Sequence, residues 1–338
     1  METIRNLNRP DRFLSVAIAL LTATCGMPPR AWCAGTNLWT SSYGAGVNSY
    51  NSIQLKKNGA PTPLELGTYP DANGLAFDSS HNLWVVVFDP DGNLVLEYTA
   101  AQLKNLKHDP GPTPAAIISS TGSFEYPLGC NFDFQGNLWI ADPENDSIDE
   151  LSKAQLAAGS GNVTPAVVVG SSIPGRPNFV TFDKAGNAWT GIDNEPNSEI
   201  AEFSASQLTS SGIRTPTIVL TDDGSGSSIA YPGEIAFDKD GNLWVPNYGA
   251  QTVVEYAGYQ LTSSGNPPPL VKLDSAEFDG PWGAVFDNAH DLVVTNYGSQ
   301  LIMKFTPRQL KASGGPIPRV SVSGSEPDNF QITFGPAS

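Results

Sequence analysis

The sequence predicts an all-β fold: a six-bladed β-propeller of four-stranded blades, closed by pairing of the N- and C-terminal segments in one blade. Three observations carry this. The composition is short of helix formers, one pattern recurs about every 45 to 55 residues, and the two chain ends complete each other. The 338 residues include 33 Gly and 28 Pro, with 15% charged and 40% apolar. Such a chain can build a core from many short strands joined by turns.

Ahead of the repeats, residues 1–34 read as a cleaved signal peptide. Arg5, Arg9 and Arg12 precede an apolar run from Phe13 to Ala23, and small residues follow. That run is too short for a permanent span, and no later segment approaches the about 18 apolar residues a span needs. Cleavage is expected near Ala31 to Ala34, leaving residues 35–338 as a single propeller domain, secreted or periplasmic. Lipid anchoring through Cys25 is the weaker alternative, because the Thr-Ala-Thr before it lacks the usual Leu. With Cys25 and Cys33 removed, Cys130 stands alone in an apolar strand and reads as a small buried hydrophobe rather than a nucleophile. The formal charge of −16 repels phosphate, which excludes nucleic acid and anionic membrane surfaces as partners. A monomer is expected.

Five copies of the pattern follow one another, from "GLAFDSSHNLWVVVFDPDGNLVLEYTAAQL" to "PWGAVFDNAHDLVVTNYGSQLIMKFTPRQL". In each, a first strand ends in Phe-Asp, a second runs through Asn-Leu-Trp or its equivalent, and a third ends in Glu-Tyr, Glu-Leu, Glu-Phe or Lys-Phe. A short Gln-Leu turn and a Gly/Pro-rich loop lead to a fourth strand: "AAIIS", "AVVVG", "TIVLT", "LVKLD" or "RVSVS". Four antiparallel strands per copy make a propeller blade. The segment after residue 34 starts mid-pattern at "NLWTSSYG", and the missing first strand is supplied by "PDNFQITFG" at 327–335. This mixed blade closes the ring and removes an open sheet edge.

Alternation assigns the faces of the first strand. Leu75, Cys130, Val180, Ile235, Ala284 and Ile332 should pack between blades with the Phe two residues on. The opposite face, including Gly74, Gly129, Gly283, Glu234 and Gln331, should line a central channel. Trp39, Trp84, Trp139, Trp189 and Trp244 hold one slot in successive blades and read as inter-blade filling rather than a sugar platform. "FDKDGNLW" at 237–244 has calcium-loop spacing, but the position of Asp240 is Gln135, Ala185 or Ser80 elsewhere. It therefore reads as hairpin punctuation.

The form Pro-x-Gly-x-Ala-Phe-Asp, then Gly-Asn-Leu-Trp-Val, an acidic or amide residue, and a strand ending in an aromatic resembles the NHL repeat family of β-propellers across residues 35–338. The resemblance implies a fold that hosts protein and RNA binders, calcium-dependent lactonase-type hydrolases, a streptogramin lyase and an amidating lyase. His81, His108 and His290 are the only histidines, and none is placed toward the channel, so the His-dependent lyase mechanisms lack their residues. A lactonase-type calcium ion would instead take oxygens at the channel mouth. Metal candidates are Glu234, Asp142, Asp193, Asn247 and Asn296; the last four sit where the repeat places a turn-capping side chain, which is the alternative role. Binding candidates are Glu234, Asn178, Asn131, Tyr43, Tyr248 and Tyr297, the three tyrosines coming from "SSYG", "PNYG" and "TNYG" turns of neighbouring blades. The expected function is an exported binding or scaffolding propeller presenting a rim or channel mouth to a protein, peptide or glycan, without catalysis. The alternative is a calcium-dependent lactonase-type hydrolase or lyase; calcium is the only cofactor implied.

Overall fold

In five of the six blades an aspartate directly after the inner strand builds its own hairpin. Asp78 Oδ1 accepts the backbone N–H of Ser80 and Asn82, and its Oδ2 accepts the Asn82 amide and the Trp84 indole N–H. Asp133 and Asp183 repeat all four bonds within their own blades. In the last blade Val293 replaces the Trp, and Lys304 bridges Asp287 at 2.5 Å and Asp291 at 2.9 Å instead. The repeated Asp is thus the turn former the sequence led us to expect, and in three blades it also anchors the core indole.

A computed structural model describes residues 37–42, 46–67, 69, 71–89, 92–120, 124–194, 197–323 and 329–335. Residues 1–34, expected from the sequence to be a signal peptide and holding Cys25 and Cys33, lie outside them. The strands form six small sheets, each one blade of a six-bladed β-propeller. Blade 2 runs Ala72–Phe77, Leu83–Val87, Leu94–Tyr98 and Ala116–Ser119 from the inside outward. Blade 1 takes its inner strand, Asn329–Gly335, from the C-terminal segment and pairs it antiparallel with Asn37–Ser42. Inner strands run from what we term the upper face to the lower, so the Asp hairpins mark the lower face.

The blades are joined by aromatic packing. Trp39, Trp84, Trp139, Trp189 and Trp244 each meet the Phe of the next blade edge to face, with ring centroids 5.8 to 6.4 Å apart. These pairs sit within five clusters of buried residues, one at each junction from blade 1 to blade 6. Blade 1 presents polar groups on its other side, toward blade 6. Thr40 and Asn48, paired across strands, fill the slots that hold Val85 and Leu96 in blade 2. Both are fully buried, and Thr40 Oγ1 and both Asn48 amide atoms have no hydrogen-bond partner.

Two repeated devices were not anticipated. The Gln of each Gln-Leu turn is a buckle: Gln102 Oε1 accepts from Thr99 N and its Nε2 donates to Thr113 O, and the other five blades repeat the pair of bonds, as at Gln207. In addition, Gly161–Asn162 and Gly212–Arg214 add short parallel strands to the outer edge of the preceding blade. Isolated bridges at Gly265, Gly314 and Gly59 do the same elsewhere. A neighbouring side chain locks each strap, Ser211 Oγ accepting from Val168 N at 3.0 Å, for example. The outer edges of blades 2 to 6, which could otherwise pair with another chain, are thereby covered.

Candidate functional site

Convergence of the inner strands decides what the channel can be. A Cβ on Gly129 would overlap the Phe179 ring, and one on Gly233 would strike the Trp282 backbone. Backbone bonds cross between blades here, Gly129 N to Asn178 O at 3.1 Å and Glu234 N to Trp282 O at 2.8 Å. Of the residues expected to face the axis, Asn131, Thr181, Ala236, Val285 and Thr333 are half-buried, whereas Phe179, Gln331 and the glycines one layer higher are buried. Glu234 belongs to the buried layer yet keeps some accessible surface. The bore is therefore a well open on the lower face, with Glu234 at its blind end. Glu234, read from the sequence as a channel-lining residue, is half-buried and hydrogen-bonded within this layer.

Gln331 is the hub that closes this end. Its Oε1 accepts from Leu75 N at 2.8 Å and Cys130 N at 3.2 Å, and its Nε2 donates to Cys130 O at 2.8 Å and Glu234 Oε1 at 3.1 Å. One side chain from the closing strand thus joins blades 1, 2, 3 and 5. Glu234 Oε2 accepts from Ile332 N at 3.0 Å. Burial raises the Glu234 carboxyl to about 8, the bonds from Ile332 and Gln331 pulling the other way. Its burial thus favours the protonated form. Burial also pushes the Cys130 thiol up, with Glu234 adding to the effect, so Cys130 is an inert core group.

The upper end is capped by five aromatic rings. Trp282, from the inner strand of blade 6, meets Phe179 at 5.9 Å, Tyr231 at 5.6 Å, Tyr248 at 5.8 Å and Tyr297 at 6.5 Å between centroids. Tyr248 also touches Tyr231 at 5.4 Å and Tyr297 at 5.8 Å. Gly280 (φ 68°) is wedged among them, and a Cβ there would lie 2.8 Å from the Tyr248 ring. Tyr231 itself adopts φ 51°, an uncommon conformation for an aromatic residue. Trp282 and Phe179 are buried, while Tyr248 is 36% exposed. Tyr43 lies outside the described residues. Of the predicted patch, Tyr248 and Tyr297 come together. Tyr231, Trp282 and Phe179 were missed as its partners, although Phe179, in a slot that holds Gly74, Gly129 and Gly283 in other blades, was a readable signal.

The remaining candidates hold backbone. Asp142 accepts from Glu125 N and Tyr126 N at 3.0 Å and from the Asn145 amide. Asn247 accepts from Ala230 N and donates to Ser228 O. Asn296 donates to Glu277 O. Each clips the loop entering its blade to the end of the second strand. Asp193 accepts from Ser198 Oγ at 3.4 Å. Asn178 donates to Pro232 O of the next blade, and Asn131 turns back onto Phe132 N. A calcium ion needs six to eight oxygens free to converge. Both oxygens of Asp142 and of Glu234 already accept hydrogen bonds, and among the described residues no three His, Cys, Asp or Glu side chains cluster for a metal. The Asp142 and Glu234 oxygens are therefore engaged, while Asn296 Oδ1 is buried without a hydrogen-bond partner.

No protein-family model matches the chain, and no curated protein matches its sequence. Solved structures share its fold. A protein from Lactobacillus plantarum superposes with a TM-score of 0.58 at 12% identity, covering 89% of this chain and 99% of that one. A protein of unknown function from Bacteroides caccae gives 0.55 at 11%, with 89% and 99% covered. A luciferin-regenerating enzyme gives 0.55 at 17%, with 89% and 84% covered.

Proposed function

We propose that this chain is an exported, monomeric binding or scaffolding propeller of NHL type, which presents its upper mouth to a protein, peptide or glycan and performs no catalysis. The observation that carries the reading is the aromatic cap. Five rings from blades 4, 5 and 6 converge on the axis, two loops bend through Gly280 and Tyr231 to let them meet, and Tyr248 faces outward. Tyrosine supplies apolar area and a hydroxyl at little entropic cost, as recognition surfaces require. The Arg-flanked apolar run ahead of Ala34 supports secretion or periplasmic delivery. Peptide and glycan arrays probed with the purified protein test the binding reading: a ligand lost on Tyr248→Ala supports it, and arrays that stay blank for the wild type overturn it. Mass measurement of the purified N-terminus decides between cleavage near Ala34 and lipidation at Cys25.

One observation favours a second reading, a lactonase-type hydrolase. Burial at the axis favours the protonated form of Glu234, the form that would donate a proton to a leaving oxygen, and one propeller of the same fold bears an enzyme's name. Turnover of a lactone or ester that Glu234→Gln abolishes would establish this reading over the first.

A further inference from the structure

The fold sorts the charged residues by face. Loops from second to third strands, and from each outer strand to the next blade, lie on the upper face with the aromatic cap. Hairpins and the helix-bearing connections lie on the lower face. Among the described residues, the upper connections carry ten carboxylates, with Asp142 and Asp193 at strand ends beneath them. Their one basic residue is Arg176, bridged to Glu144 at 3.1 Å. Lys272, on an outer strand, reaches this side through the Ser227 hydroxyl. The lower connections carry eleven Lys and Arg against eight Asp. The negative charge of the protein is therefore concentrated around the mouth.

An exposed carboxylate stands beside the rings. Gly298 N donates to Asp279 O at 2.9 Å, and a Cβ on Gly298 would lie 2.6 Å from the Asp279 carboxylate. The segment Asp279–Gly280 thus runs alongside Tyr297–Gly298, with the Tyr248 ring against Gly280. Asp279 is exposed.

We propose that the mouth docks an arginine- and lysine-bearing segment of a protein partner, with a guanidinium stacked on Tyr248 and paired with Asp279. This rests on the binding reading above and narrows its partner to a cationic polypeptide. Aromatic faces attract cations through their quadrupole. A guanidinium stacks and pairs at once, which a compact ammonium does not. The acidic rim steers a cationic segment inward and turns polyanions away. A neutral glycan would use the rings and leave the surrounding charge without a role.

Fluorescence anisotropy tests this with labelled octapeptides of alternating Arg-Ser, Lys-Ser and Gly-Ser, and with labelled chitohexaose. The Arg-Ser peptide should bind, the Gly-Ser peptide should not, and affinity should fall about tenfold from low to physiological ionic strength. Tyr248→Ala and Asp279→Asn should each weaken binding about tenfold, while Lys184→Ala on the lower face leaves it unchanged. Asp279→Asn alters an exposed side chain and keeps the test decisive if Tyr248→Ala misfolds. Equal binding of the Gly-Ser peptide, or Arg-Ser binding indifferent to both upper-face variants, overturns the proposal. If chitohexaose alone binds and Tyr248→Ala abolishes it, the binding mouth stands and the cationic partner falls. If no probe binds, both fall.

Discussion

Replacing Glu234 with Gln should reverse the order of stability between acid and alkaline pH. Burial raises the folded-state carboxyl from 4.5 to about 8. Between those values the folded protein holds a proton that the unfolded chain has released. Glu234 therefore favours folding most below pH 4.5, and that advantage is lost as pH rises through 8. At 1.36 kcal/mol per unit the shift amounts to about 4 to 5 kcal/mol. Glu234 keeps some accessible surface, and discounting for solvent screening leaves ~2 to 4 kcal/mol. The Gln variant has no charge to bury but offers a single acceptor to Gln331 and Ile332, losing one hydrogen bond at about 1 kcal/mol. Urea unfolding followed by Trp fluorescence should show the variant less stable by about 1 kcal/mol near pH 4. Near pH 9 it should be more stable by about 1 to 3 kcal/mol. A constant difference at every pH would refute the reasoning, because it would mean the Glu234 charge carries no folding penalty.

Wild-type stability itself should decline from near pH 5 to near pH 8, since burial also raises Asp149 and Glu255 to about 7 and Glu202 to about 6; a curve rising over that range would contradict the burial of these groups. Gln331→Leu strands the Leu75 N–H and the Cys130 N–H and carbonyl at the axis, and should cost about 3 to 5 kcal/mol in the same assay. Trp189→Ala removes the ring packed on Phe237 and the donor to Asp183, at about 3 to 5 kcal/mol. Thr40→Val with Asn48→Leu should stabilise by about 1 to 3 kcal/mol, because it replaces unpartnered polar groups with the apolar pair used in blade 2; a loss of stability would show that the two side chains are satisfied in solution.

Much of the architecture was legible because a repeat displays each structural job several times. A Trp seen once could be a ligand platform; the same slot filled by Trp39, Trp84, Trp139 and Trp189 can only be a packing position. Likewise Asp78, Asp133 and Asp183 declare a turn role by recurring where neighbouring oxygens do not. The site was less legible, because it consists of departures from the repeat. Phe179 stands where three other blades have glycine, Trp282 where others have Asn73, Leu128 or Gly233, and Gln331 is an ordinary polar residue until the ring closes and brings four blades within its reach. The Gln-Leu buckle was visible as a repeat, but its long-range partner, a carbonyl eight to eleven residues on, was not.

The sequence by itself determined the blades, their number, their seams and the mixed-chain closure, since these follow from local periodicity and turn chemistry, which act over a few residues. Only the tertiary structure decided which loops share a face, and with it the meaning of the net charge. Acidic and basic connections alternate along the chain, so a linear reading averages them to a uniformly acidic protein. Antiparallel strands send successive connections to opposite faces, and this separates the averages into an acidic mouth and a near-balanced underside. The depth of Glu234 was likewise decided in three dimensions, because its burial depends on six strands from distant segments converging on one axis.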